Sequence, residues 1–247
     1  MLKSLPVHML WFSADLSRLA WLSLASFVTQ DYRVILWSYA PGAHGGLGVE
    51  VRDAAAVVPL IGDDGAAAYL SSLFRYRLLA GEGGIWSDMD VVALVGNPGL
   101  AAVPLVASEK RRPFRHREAS ATGEGMTQVT NCFMANPKPA PGDLWHRAAA
   151  RVEGLSEGER SWENVGPPML SGLMLDDPGH GVEILPPDTV DPVAWWTVPA
   201  YFLEEREPPP SPFMHMYATI WARRGIDAEA PFPARSLAGE LWRRFGL

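Results

Sequence analysis

The runs Val7-His8-Met9-Leu10-Trp11-Phe12 and Tyr32-Arg33-Val34-Ile35-Leu36-Trp37 bracket the segment whose reading decides the fold. Each is a short apolar stretch rich in strand formers. Between them Ser13-Ala14-Asp15 offers capping oxygens for a helix from about Leu16 to Thr29. Strand, helix, strand reads as a βαβ unit, which implies a parallel sheet with its ligand crevice at the C-terminal ends of the strands. Trp11 and Phe12 stand at such an end.

Outward from this unit, a glycine-bearing loop leads to strand-like stretches between Val49 and Leu60. Asp63-Asp64 then open a helix whose apolar positions Leu70, Leu73, Phe74, Leu78 and Leu79 recur at spacings of three and four. Gly81-Glu82-Gly83-Gly84 ends it, because glycine alone adopts left-handed conformations cheaply. Ile85 to Leu94 follows as a strand with acidic residues in its middle. Further strands are expected at Pro104 to Ser108, Val129 to Ala135, Val182 to Leu185 and Phe213 to Tyr217. Helices are expected from Asp143 to about Val152 and from Ala218 to Arg224. The proline-rich stretch at 204–212 reads as a rigid surface connection, and no internal repeat is found.

With 247 residues, 48% hydrophobic and 20% charged, the chain has the length for one closed α/β domain and the composition of a globular protein. A formal net charge of −7 disfavours a general nucleic-acid binder. The single cysteine, Cys132, excludes an intramolecular disulfide framework. No run approaches the roughly 18 uninterrupted apolar residues of a spanning helix. The expectation is therefore a cytoplasmic protein, with any membrane contact peripheral and at the inner face.

Two carboxylates inside an apolar strand are the strongest oddity, because an unpaired buried charge is normally neutralised, paired or metal-bound. On a regular strand Asp88 and Asp90 point to the same face and could share a hard divalent cation, Mg²⁺ or Mn²⁺. A bare Asp-x-Asp is more often a solvated strand end, so the surroundings decide. From Arg75 the helix rises roughly 9 Å to Gly81. The strand then returns roughly 13 Å from Gly84 to Asp88. The reversal brings both aspartates past the level of Arg75, a fixed cation of the kind a diphosphate or a leaving-group charge requires.

Leu70-Ser71-Ser72-Leu73-Phe74-Arg75-Tyr76-Arg77-Leu78-Leu79 followed by Gly83-Gly84-Ile85-Trp86-Ser87-Asp88-Met89-Asp90-Val91 resembles the signature of glycosyltransferases with the DXD sugar-binding motif. That family includes the α-1,6-mannosyltransferases of yeast outer-chain synthesis and the glucosylating clostridial toxins. The first βαβ unit is also similar to the family's, whereas likeness beyond residue 100 is confined to Gly166-Pro167 and to His215 followed by Trp221. The resemblance implies a GT-A-like, Rossmann-type mixed sheet flanked by helices in a single domain, 1–247. Residues 1–100 would form the nucleotide-sugar half and 101–247 the acceptor-side half.

It further implies transfer of a hexose from a UDP- or GDP-sugar to a hydroxyl acceptor with retention of configuration. By the same resemblance Asp90 binds Mn²⁺ or Mg²⁺, and Asp88 contacts ribose, donor sugar or a metal-bound water. Arg75 contacts donor hydroxyls or phosphate, Trp86 packs at the nucleoside, and Trp11 stacks on the base. Many members carry aspartate where this chain has Ser72, which leaves the donor sugar open. His215 stands where such enzymes often add a third metal or phosphate ligand, and Asn131 could bind donor or acceptor hydroxyls; a satisfied strand histidine and a turn asparagine are the plainer readings. Lys110, Arg111, Arg112, Arg115 and Arg117 suit either an anionic acceptor or a solvated loop. Two other functions stay open: an inactive glycan- or protein-binding module on the same fold, and a metal-dependent phosphoesterase.

Overall fold

The computed structural model describes residues 5–61, 67–96, 103–110 and 128–247. Its first elements are β1 (Val7–Trp11), α1 (Arg18–Thr29) and β2 (Val34–Ser38). β1 and β2 run parallel in register from Val7↔Val34 to Trp11↔Ser38, completing the expected βαβ unit. Its helix starts later than the sequence suggests. Ser17 is the cap, its Oγ accepting from the Ala20 N–H at 3.1 Å, while Ser13 and Trp11 both donate to the Asp15 carbonyl and hold 13–15 in a turn.

β3 (Glu50–Asp53) extends the sheet in parallel beside β2, and α2 (Ala67–Gly81) follows. Asp63 and Asp64, expected to open that helix, lie outside the described residues, as do Arg111, Arg112, Arg115 and Arg117. The glycine turn after α2 is sterically required. Gly83 and Gly84 adopt φ of +73° and +91°, and a Cβ on them would lie 2.5 Å from the Asn136 carbonyl oxygen and 2.7 Å from His8 Nε2.

A correction concerns the strand from Ile85 to Leu94. It is two strands, β4 (Gly84–Ser87) and β5 (Val91–Ala93), joined by a turn in which the Val91 N–H donates to the Asp88 carbonyl at 3.1 Å. β4 is paired on both sides within the main sheet, so the chain must leave that sheet to go on. Asp88 and Asp90 therefore lie in the turn between the two strands and do not share the one face of a regular strand that the sequence predicts.

The remaining strands are β6 (Leu105–Glu109), β7 (Gln128–Asn136), β8 (Glu183–Ile184) and β9 (Phe213–His215). The main sheet has the order β3-β2-β1-β4-β7-β6-β8, with β7 antiparallel to both β4 and β6, and β5 pairs antiparallel with β9 in a separate ribbon. Helices α3 (Leu144–Glu153), α4 (Trp162–Val165), α5 (Pro167–Asp176), α6 (Pro187–Val190), α7 (Val198–Leu203), α8 (Ala218–Arg223) and α9 (Leu237–Arg244), with 3-10 turns at Pro41–His44, Ala54–Ala56 and Glu157–Glu159, complete the described elements. The fold is thus an α/β mixed sheet flanked by helices. Leu10, Ile35 and Trp86 pack with α2, α3 and α5 on one face, and Val7, Met9, Leu36 and Ile85 pack with α1 on the other. That alternation is what a doubly covered sheet demands. A third cluster joins α1 and β5 to the C-terminal helices through Leu22, Val92, Phe202, Trp221 and Leu241. Among the described residues no helix is long and apolar enough to cross a membrane.

Candidate active site

Four elements converge where β4 leaves the sheet. From α2, the buried Arg75 turns its guanidinium towards the end of β4, where Nη1 stands 3.0 Å from Asp88 Oδ1 and donates to the Asn131 carbonyl at 2.7 Å. Nε donates to the Ser71 carbonyl and Nη2 to Ser71 Oγ, at 3.1 and 3.3 Å. Trp86 lies under the guanidinium, 4.9 Å from Cζ to the ring centroid, and its Nε1–H donates to Asp88 Oδ1 at 2.8 Å.

An irregularity in β7 makes this possible. The β6–β7 ladder steps from Val106↔Met134 to Ala107↔Thr130, which frees the Asn131 carbonyl for Arg75, while the Cys132 carbonyl continues the β4–β7 ladder by accepting from the Asp88 N–H at 2.8 Å. Asn131 thus reaches the site through its backbone, while its side-chain amide donates to the Tyr76 hydroxyl.

Asp90 faces a different partner. Its backbone carbonyl accepts from the Met216 N–H and its Oδ2 from the Ala218 N–H, both at 2.7 Å, while Oδ1 lies 3.3 Å from His215 Nε2. The Val91↔His215 register of the β5–β9 ribbon sets this approach. Tyr217, between the two donating amides, holds the left-handed backbone at φ 54°, an uncommon conformation for a bulky residue and one that suits the double grip on Asp90. Its ring stacks on His215 with centroids 3.8 Å apart.

Behind His215 stands Asp191, a residue that sequence reading did not single out. Its Oδ1 is 2.8 Å from His215 Nδ1, and Cys132 Sγ lies 3.8 Å from Oδ2. Nothing in the local sequence around Asp191 marks it; its burial beside a histidine is a tertiary fact.

Electrostatically the two carboxylates diverge. Burial raises the Asp88 carboxyl above its ordinary value, and Arg75 offsets this only in part. Burial acts on Asp90 as well, but His215 and the Ala218 N–H overcome it and hold that carboxyl below the usual range. For His215, burial opposes the charged ring, while Cys132, Asp90 and Asp191 around it drive its pKa well above that of a free histidine. Glu109, half-buried and 3.3 Å from the Tyr217 hydroxyl, is raised to about 7 by burial and by Asp191.

Of the residues singled out in the sequence, Arg75, Trp86, Asp88 and the Asn131 backbone meet on one side, and Asp90 and His215 meet on the other. Ser72 is buried in α2, and the hydrogen bonds of Arg75 go to its neighbour Ser71 instead. Trp11 shares the C-terminal edge of the sheet but spends its indole N–H on the Asp15 carbonyl. Asp90 and His215 have the chemistry to hold a hard cation. Two donors in adjacent positions of an octahedral Mg²⁺ or Mn²⁺ shell stand about 3 Å apart, close to the 3.3 Å seen between Oδ1 and Nε2. Asp191 would orient the imidazole from behind, as carboxylates do for metal-bound histidines. Cys132, Asp191 and His215 form a second cluster of donors, all buried and mutually within 4.8 Å.

No protein-family profile and no curated protein matches the chain. Among solved structures it is similar to the PaToxG glycosyltransferase, with 19% identity, 70% of each chain covered and a TM-score of 0.49. Apo-form GlyE, a glycosyltransferase of Streptococcus pneumoniae TIGR4, gives 14% identity over 98% of this chain and 60% of that one, with a TM-score of 0.49. Mouse xyloside xylosyltransferase 1 in its apo form gives 12% identity, 87% and 98% coverage, and a TM-score of 0.49.

Proposed function

We propose that this protein is a metal-dependent glycosyltransferase that moves a hexose from a nucleotide-diphosphate sugar to a hydroxyl acceptor with retention of configuration. The observation that carries the reading is the Asp90–His215 pair, oriented by Asp191 and standing beside the Arg75–Asp88 pair at the C-terminal edge of the sheet. That edge is where open α/β sheets bind ligands.

Asp90 and His215 would hold Mn²⁺ or Mg²⁺, which when bound neutralises charge developing on the departing diphosphate. Asp88 would contact the ribose or the donor sugar. The guanidinium of Arg75 uses four of its five N–H donors within the protein, so its main task is to fix Asp88 and to keep positive charge beside the donor. Trp86 supports that guanidinium from below, and Trp11 would offer a ring to the base from the neighbouring strand end. Residues 1–100 would supply most of the donor half, completed by His215 and Asp191 from 101–247, whose remaining segments would form the acceptor side. No residue is assigned as a covalent nucleophile, in keeping with attack of the acceptor hydroxyl on the face that the diphosphate leaves.

Calorimetry with a panel of UDP- and GDP-sugars, with and without Mn²⁺, tests the reading. Metal-dependent binding of at least one donor together with slow donor hydrolysis is expected. No binding across the panel would overturn it. Glycan binding that persists in an Asp88→Ala, Asp90→Ala double variant without any turnover would favour the inactive module.

A further inference from the structure

The buried cluster behind His215 contains chemistry that sugar transfer does not call for. Cys132 on β7, Asp191 just after α6 and His215 on β9 are all buried, with one donor atom of each within 4.8 Å of the other two. Donors around a tetrahedral Zn²⁺ at ordinary bond lengths stand roughly 3.3–3.6 Å apart. Asp191 reaches Cys132 Sγ with Oδ2 at 3.8 Å and His215 Nδ1 with Oδ1 at 2.8 Å, so a rotation of its carboxylate that sets one oxygen between the other two donors would accommodate the ion. Hard cations prefer oxygen, whereas thiolate with imidazole selects softer ones.

We propose that Cys132, Asp191 and Nδ1 of His215 form a second cation site, selective for a thiophilic dication such as Zn²⁺, whose occupancy withdraws His215 from the donor site. The withdrawal follows from the chemistry of imidazole. A neutral ring has one lone pair, so a metal on Nδ1 leaves the proton on Nε2. Nε2 then donates to Asp90 Oδ1, 3.3 Å away, and cannot ligate a cation there.

The exchange is neutral in charge. Both ring nitrogens now face carboxylate oxygens, at 3.3 and 2.8 Å. Loading releases the Nδ1 proton and the Cys132 thiol proton to solvent as one dication enters, so the net charge of the pocket is unchanged. A buried site resists added charge far more than such a swap. The cation-binding half of this proposal stands by itself; the withdrawal half rests on the glycosyltransferase reading.

Co²⁺ provides the test, because a thiolate ligand gives it a sulfur-to-cobalt charge-transfer band. Cys132 is the sole cysteine, so any such band reports this site. Metal-free full-length protein incubated with Co²⁺ for hours is expected to develop the band, and Zn²⁺ to abolish it. Cys132→Ser should lack the band and bind Zn²⁺ at least tenfold more weakly, in line with loss of a metal-site partner. No band in the unsubstituted protein after prolonged incubation overturns the site, and that measurement needs no variant. In parallel, Zn²⁺ should weaken Mn²⁺-dependent donor binding about tenfold or more, and Cys132→Ser should relieve it. A band without that weakening overturns the withdrawal. A band in a protein that binds no donor with Mn²⁺ supports the site and overturns the glycosyltransferase reading instead.

Discussion

Asp88 and Asp90 are two residues apart, share a turn and are largely buried, yet the fold gives them opposite surroundings. Asp88 faces an arginine and an indole N–H from elements that precede it, and a β7 carbonyl receives its own amide. Asp90 faces a histidine and two backbone amides that arrive more than a hundred residues later. One carboxyl is pushed up by burial, and the other is held down by its histidine. Spacing in sequence made the two look interchangeable. What separates them is which element packs beside each.

The sharpest way to break this contrast is to neutralise each aspartate in turn. Asp90→Asn, which keeps an oxygen for the Ala218 N–H, should lower transfer about a hundred-fold or more, while Asp88→Asn should cost only about tenfold because its charge is already paired. Equal losses in a donor-hydrolysis assay would mean that the two positions are equivalent after all.

A second test addresses the support beneath Asp88. β4 rests against His8, whose Nδ1 accepts from Trp37 Nε1–H at 3.0 Å. Protonation would break that bond, and burial, with Arg52 and Arg33 nearby and Glu50 opposing them, lowers the His8 pKa to about 4. A base depressed on folding stabilises the protein above its unfolded pKa of 6.5 and loses that contribution as pH falls towards 4. About 3 kcal/mol of denaturation free energy should disappear across this window, and His8→Gln should flatten the slope. An unchanged slope in that variant would show that other groups govern acid sensitivity.

Removing the cation of the first pair should be milder. Arg75→Ala leaves Asp88 without its partner, but that carboxylate keeps 26% of its side-chain surface exposed, so the cost should be about 2 kcal/mol rather than the larger penalty of a fully enclosed charge. Urea denaturation measures it, and a loss below a few tenths would show that the pair contributes little.

The smallest effect is expected at Asp191. Asp191→Asn should weaken Mn²⁺ binding roughly tenfold by loosening His215. Asp191→Glu should recover much of the affinity, which a purely structural role would not predict.

Much of the architecture of the first hundred residues was legible in local pattern. Apolar runs at 7–12 and 32–37 gave the βαβ unit, and Gly83-Gly84 announced the reversal that brings Asp88 to Arg75. The break at Asp88–Asp90 was not legible, because a strand that changes sheets keeps the same run of Val and Ile-like residues. Ser17 as the cap of α1 was hidden by a nearer Ser13 already committed to a turn. The helices α4, α6 and α7 gave little signal, since they are only four to six residues long and are held by packing, whereas α9 carried a readable start at Ser236 and a basic end at Arg243-Arg244 that the sequence reading passed over. Asp191 was invisible for the same reason that it matters: its partners are 24 and 59 residues away.

By itself, then, the sequence determined the α/β class, the parallel start of the sheet and the Arg75 to Asp88 return, because hydrophobic period, caps and glycine turns act over a few residues. Only the tertiary structure decided that Asp90 turns away from Asp88 to meet His215, and that Asp191 and Cys132 stand behind that ring. The first pairing comes from a ribbon between strands more than a hundred residues apart and the second from a main-sheet strand and a loop that meet it there, and no local pattern encodes which distant segment will arrive.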